Sequence, residues 1–354
     1  MRLAITGLGM VTSVGHDVAT ACASLRAGMS RPADLGYSVV DEKGMADEQV
    51  IGHPLRGITD GFQGVGRYVR IGRMALRDLR AGGQLATTDS RFWDATVVRV
   101  GLSRAPYDEI GVLEEMLEQD FPVELAAAVP LPVQPDKVVV VFAGHASGLQ
   151  LIADAARDIA NRSCERSIVI CLDSLVDGDL LRMLEVRNRL KSADRAVGLM
   201  PGEAGAAVLV EDERAAVRRR ATVLGHIGPI AMAKTPTGGD HGRAGAAMAN
   251  VIATVLRAHP ERVPTIYTDL NGEERRAHAW GEAIARVRAS GCDFPGRVLL
   301  PALSLGDTGA ASGGVAICAA VRSFVRGYAP GGVVAVASAA DDGTVAAALL
   351  TKAT

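Results

Sequence analysis

Two stretches of this sequence share one pattern, and together they constrain the fold more than anything else in the chain. The first runs from Lys137 to Ile159, KVVVVFAGHASGLQLIADAARDI. Five apolar residues, Val138 to Phe142, form a run too uniformly hydrophobic for a half-exposed strand, which predicts a strand buried on both faces. Ala143-Gly144 breaks the run and leaves His145 at a turn. Leu149, Ile152, Ala153, Ala156 and Ile159 then recur at helical spacing. Such a joint presents one side chain beside free N–H groups at a helix N-terminus, where many enzymes place a nucleophile. A plain connection with an incidental histidine has the same local pattern. The second stretch repeats the first: an apolar run at 298–303, a break at Ser304-Leu305-Gly306-Asp307, and a small-residue helix over 310–324. Two related joints, one per half, predict an internally duplicated α/β fold.

Composition narrows the class. The chain has 354 residues, of which 48% are hydrophobic but only 4% aromatic, with 40 glycines. That balance suits tightly layered α/β structure rather than a coiled coil or a disordered chain. A net charge of -2 gives no argument for nucleic acid or an anionic membrane as partner. Cys22, Cys164, Cys171, Cys292 and Cys318 lie far apart with no CxxC pair, and read as reduced core residues of a cytoplasmic protein. The opening MRLAITGLGMV lacks a signal peptide's apolar core, and no window is long enough to span a bilayer.

Along the chain, residues 2–6 read as a strand followed by Gly7-Leu8-Gly9. A dinucleotide reading fails because Thr12 stands where GxGxxG needs its third glycine. Asp17 caps a helix running to Gly28. From Ser30 to Gln63 the sequence reads as a long surface excursion. Arg67, Arg70, Arg73, Arg77 and Arg80 then place a basic stripe on one helix, either a solvated face or a docking face for an acidic partner or a phosphate-bearing arm. Strands are expected at 93–100, 166–172, 206–211, 222–230, 265–270, 332–337 and 345–350. Helices are expected at 108–119, 178–191, 243–258 and 273–289. The basic connector Arg214 to Arg220 marks the boundary between halves.

With both joints in place, nearly the whole chain resembles the β-ketoacyl synthases, the condensing enzymes of the thiolase fold. ITGLGMVTSVG resembles the family's first strand and turn, and GHASGLQLIADAARDI its nucleophile elbow and buried helix. PGEAGAAVLVED resembles the GEGAG strand, GDTGAASGG the joint of the second catalytic histidine, and DDGTVAAALL the strand after the FGGTN loop. The resemblance implies a thiolase-like fold: two pseudo-repeated halves, 1–215 and 216–354, layered αβαβα. It also implies a dimer, formed through the strand at Lys137 to Phe142. The dimer is either a homodimer or a heterodimer with an intact ketosynthase, and an acyl carrier protein is a possible further partner.

The family's condensing members hold the acyl group on an elbow cysteine and use two histidines for decarboxylation. Here His145 takes the cysteine's position, Asp269 falls at or beside the first histidine's, and Asp307 at the second's. Ala302 replaces the lysine before it, and Asp341 the aromatic gatekeeper. Neutral imidazole cannot form the stable thioester carrier, and ionised Asp269 and Asp307 accept hydrogen bonds where the histidines donate. Decarboxylative condensation is therefore not expected. Placement at helix N-termini predicts ionised carboxylates and a His145 biased toward neutral.

Ser147 is one residue out of place for a G-x-S-x-G elbow and is expected to point into the helix. If the resemblance holds, His145, Asp269, Asp307 and Asp341 converge on one cavity, with Ser147 and Asn271 beside it. Two functions follow. One is a non-condensing partner resembling chain-length factors, in fatty-acid or polyketide-type biosynthesis. The other is an enzyme using His145 with Asp269 and Asp307 for hydrolysis or proton abstraction. A purely structural or assembly protein is a third class. No cofactor is expected, and the scattered histidine and carboxylates have no metal-site spacing.

Overall fold

The computed structural model describes residues 2–40, 47–105, 111–235 and 241–353. The first half comprises β1 (Leu3–Thr12), α1 (Val18–Arg26), β2 (Ala33–Val40), β3 (Asp47–Gly52), α2 (Gly64–Ala81), α3 (Ser90–Asp94), β4 (Thr96–Leu102), α4 (Val112–Ala128), β5 (Val138–Phe142), α5 (Ser147–Ala160), β6 (Arg166–Ser174), α6 (Gly178–Val186), β7 (Glu203–Asp212) and α7 (Glu213–Arg218). The second comprises β8 (Gly225–Lys234), α8 (His241–Arg257), β9 (Thr265–Thr268), α9 (Glu274–Ala289), β10 (Arg297–Leu299), α10 (Ala302–Leu305), α11 (Ala311–Val325), β11 (Val333–Ala339) and β12 (Thr344–Lys352).

Strand order shows the duplication. The large sheet reads β10-β9-β11-β12-β8-β1-β7-β6-β4-β5. Outward from the β1–β8 seam, each half runs first, fifth, fourth, second, third in its own chain order. Parallel and antiparallel pairings match as well: β4 pairs parallel with β5 and β6 as β9 does with β10 and β11. The seam itself is short, with three residue pairs from Leu3↔Ile227 to Ile5↔Gly225.

Hydrophobic burial stacks the layers. Helices α2 and α4 cover the outer face of the first half-sheet through Ile71, Leu76, Phe121 and Leu125. Helices α8 and α9 cover the second through Ile252, Val255, Trp280 and Val287. Between the half-sheets lie α1, α5 and α11, contributing Cys22, Leu149, Ile152, Val315 and Ile317 to one core. The result is αβαβα, as expected. In the middle layer the N-terminal turns of α5 and α11 touch backbone to backbone. A Cβ on Gly148 would come within 2.8 Å of the Gly313 carbonyl carbon and the Gly314 nitrogen.

Several local expectations change. Among the described residues β5 is the outer edge of the sheet, paired only with β4, and Val139 is 46% exposed, so the strand is not buried on both faces. The excursion from Ser30 to Gln63 includes a two-stranded sheet, β2–β3, whose Val39 and Val50 pack on Leu181 and Leu184 of α6. Gly7 and Gly9 serve packing: a Cβ on Gly9 would lie 2.1 Å from the Ala75 carbonyl oxygen, so glycine lets α2 approach β1. The arginine stripe divides. Arg67 bonds to the buried Glu203 and Arg70 to the Ile58 carbonyl, while Arg73, Arg77 and Arg80 are exposed. Trp93 lies in the short helix α3, and its indole N–H bonds to the Ala86 carbonyl. The helix expected from residue 108 is seen as α4, and 106–110 lie outside the described residues.

Candidate functional site

The glycines that let α5 and α11 cross also bring the two joints together. Gly144 (φ 52°), Gly306 (φ 68°) and Gly309 (φ 49°) take left-handed conformations that cost other residues strain. The turns they form aim His145 and Asp307 at each other from opposite halves. His145 Nε2 lies 2.7 Å from Asp307 Oδ1, and both side chains are buried. Asp307 is held on every side. Its backbone N–H donates to the Met200 carbonyl at 2.7 Å. Its carboxylate accepts the Gly309 N–H (2.9 Å) and the Asn271 side-chain amide (2.6 Å).

Above the imidazole lies Arg276, a buried residue of α9. Its Nη2 is 3.1 Å from His145 Nδ1 and 3.5 Å from Nε2. The lone pairs of the two ring nitrogens diverge, so an atom this near both lies over the ring face rather than in line with either. Arg276 also donates to the Ala339 carbonyl at 2.7 Å and to Asp341 at 2.8 Å. Arg189 bonds Glu273 through two nitrogens, at 2.6 and 2.9 Å, and reaches Asp341 at 2.9 Å. Arg275 bonds both Glu273 and Asp341.

The charge balance of this cluster explains its titration. Asp269, Glu273, Asp307 and Asp341 face Arg189, Arg275 and Arg276, leaving one carboxylate in excess. A protonated His145 neutralises the set. Burial and the Arg276 guanidinium push the His145 pKa down, but Asp307, helped by Asp269, outweighs them and holds it above the ordinary histidine value. The expected bias toward neutral imidazole is thus reversed. Burial alone would raise Asp307 and Asp341. His145 and Arg276 instead hold Asp307 well below the usual carboxylate range, and Arg276 and Arg189 do the same for Asp341.

A cavity of about 320 Å³ opens over this cluster. His145, Asp307 and Asp341 line it, with Tyr68, Phe142, Leu180 and Met183 among its apolar walls. Asp269 makes no hydrogen bond to His145: it accepts the Ala339 N–H at 2.8 Å and lies 3.5 Å from Arg276, so it acts on the imidazole through its charge and not by contact. Asn271 bridges Asp307 and Glu273 from behind the cavity wall. Ser147 is fully buried with an unpartnered hydroxyl packed against Gly101, and is not a lining residue.

Glu273 and Arg276 were missed by sequence reasoning, because GEERR at a helix start reads as a solvated charge run, and Arg189 because it stands in the polar RNR that follows α6. Asp173 was missed too. It lines the cavity at the end of β6 and accepts the Ala310 N–H at 2.8 Å, and burial raises its pKa. A lone carboxylate closing the apolar run IVICLDS was the available signal.

No protein-family model and no curated protein matches the chain in sequence. Solved structures do. The chain aligns over its full length with a ketosynthase domain of the oxazolomycin system of Streptomyces albus JA3453 (TM-score 0.77, 15% identity, 75% of that chain). It aligns with the ishigamide ketosynthase/chain length factor (0.74, 18%, 99%). It also aligns with a type II polyketide synthase acyl-carrier protein in complex with its ketosynthase (0.76, 15%, 99%). The chain has the thiolase-like fold of these proteins. Among the described residues no helix is long and apolar enough to cross a membrane.

Proposed function

We propose that this protein is a ketosynthase-like member of a fatty-acid or polyketide-type system that does not carry out decarboxylative condensation. In this reading it acts as the non-condensing partner of an active synthase, in the manner of a chain-length factor. One observation carries it: the elbow holds His145 locked between Asp307 and Arg276 instead of a thiol. Cys22, Cys164, Cys171 and Cys318 are buried, and burial raises the pKa of each, so none offers a thiolate. Asp307 accepts hydrogen bonds where condensation needs a donor to a developing enolate. The exposed apolar edge of β5 supports pairing with a second subunit, a homologous ketosynthase or another copy, since an unpaired edge of this kind invites strand addition. The halves 1–215 and 216–354, an acyl carrier protein as further partner, and a cytoplasmic location belong to the same reading.

The test is incubation with malonyl- and acyl-carrier thioesters under mass spectrometry, together with co-purification from cells expressing an intact ketosynthase. The reading expects no covalent adduct, no decarboxylation and a stable pair. Turnover of malonyl thioester by the chain alone would overturn it.

The direct His145–Asp307 contact inside a cavity supports a second reading, an enzyme of different acyl or carbonyl chemistry. Its raised pKa suits His145 to proton donation more than to base catalysis. Hydrolysis of an acyl thioester that is lost in His145→Ala would favour it.

A further inference from the structure

A second cavity of about 260 Å³ shares no lining residue with the first. It is bounded by α1, α11, the strands β9 and β10, and the segment 300–304 that runs on toward Asp307. Its volume exceeds the roughly 150 Å³ that admits benzene and falls just short of drug-sized sites.

The walls are apolar, with Leu25, Val298, Leu299 and Val334, and Thr265 and Tyr267 stand among them. Thr265 and Tyr267, one face of β9, are both more than nine-tenths buried. Among the described residues Thr265 Oγ1 has no hydrogen-bond partner, nor has the Tyr267 hydroxyl. Cys22, Tyr267 and Tyr328 all line this one cavity. The Tyr267 hydroxyl is thus the free hydrogen-bonding group that the cavity offers an occupant.

The mouth is basic. Arg26 lies 4.5 Å over the Tyr328 ring, which holds its guanidinium at the rim, and Arg297 stands at the start of β10. Neither has a carboxylate partner among the described residues. Leu303 adds a lip that is 77% exposed.

We propose that this cavity binds a small apolar carboxylate, its body enclosed beneath β9 and β10 and its carboxylate held by Arg26 and Arg297. The Tyr267 hydroxyl donates to whatever polar group the body carries. Burial pushes the Cys22 thiol up to about 12, so the binding is non-covalent.

Octanoate is the probe, titrated calorimetrically into the full chain, with octanol as the same body lacking the charge. Saturable one-to-one binding of octanoate is expected, and weaker binding of octanol. The exposed charge reversal Arg297→Glu should weaken octanoate by about tenfold, the value of one charge-assisted hydrogen bond. Leu303→Asp should weaken it as well. Arg187→Glu, an exposed change at the rim of the His145 cavity, should not. The proposal is overturned if octanoate does not bind, if octanol binds equally well, or if Arg187→Glu weakens binding and Arg297→Glu does not. All three substitutions lie at the surface, so the result does not depend on repacking the core.

Discussion

Replacing Asp307 with asparagine tests whether the cluster is organised around an imidazolium. Asp307 faces only donors: His145 and the Gly309 N–H at Oδ1, and the Asn271 amide at Oδ2. Asparagine has one oxygen. If that oxygen serves His145 and Gly309, its NH₂ meets the NH₂ of Asn271, whose own oxygen is taken by the Glu273 N–H at 3.1 Å. An unpaired buried donor costs about 1–3 kcal/mol. Where His145 is charged, removing its partner also breaks a buried ion pair, for about 3–5 kcal/mol in all. The pH dependence follows from the direction of the histidine shift. A folded pKa above the unfolded value of about 6.5 contributes stability that is complete below that value and is lost as pH rises through the folded pKa. The deficit of Asp307→Asn should therefore approach about 3–5 kcal/mol below pH ~6.5 and shrink toward about 1–3 kcal/mol in alkali. Urea unfolding followed by Trp93 and Trp280 fluorescence measures the deficit, and the imidazole proton resonances follow His145 directly. In the variant the His145 pKa should fall, since burial and Arg276 are then opposed by less. A deficit independent of pH, or a His145 that titrates in the unmutated protein at the ordinary histidine value, would refute the reasoning.

Arg276→Met removes the cation shared by Asp269, Glu273 and Asp341, and should cost about 3–5 kcal/mol at neutral pH. Glu273, Asp307 and Asp341 have depressed pKa values, so the stability they contribute is present above the usual carboxylate range and lost in acid. The gap between Arg276→Met and the unmutated protein should therefore narrow as pH falls, in denaturant titrations at stepped pH. Gly148→Ala drives a methyl into the Gly313–Gly314 backbone and should destabilise by about 1–3 kcal/mol in thermal melts, because backbone cannot swing aside as a side chain can. Val139→Asp on the exposed edge of β5 should abolish the proposed pairing in sedimentation experiments while leaving the unfolding midpoint of the isolated subunit nearly unchanged.

Both joints were legible because a buried strand and an amphipathic helix each impress a period on the chain, and because the pattern occurs twice. His145 and Asp307 were legible for the same reason, standing where each joint breaks the period, whereas Asp341 was named only through the resemblance. The same logic misplaced β5. An apolar run registers hydrophobic side chains and not their surroundings, and an edge strand with an exposed apolar face carries the same residues as one enclosed on both sides. Arg276 was invisible, since nothing in GEERR says that this arginine, rather than its neighbours, is folded inward to lie 3.1 Å from a histidine 131 positions earlier. The upward shift of the His145 pKa was invisible as well. Local sequence could offer only a helix N-terminus, which disfavours a cation. The folded cluster sets four carboxylates against three guanidiniums, and at short range around a buried imidazole that imbalance overrides the dipole. Periodicity along the chain thus determined the layers and the two joints. Which charges meet across those layers was decided by tertiary structure alone, because electrostatic energy depends on distance in space and not on separation in sequence.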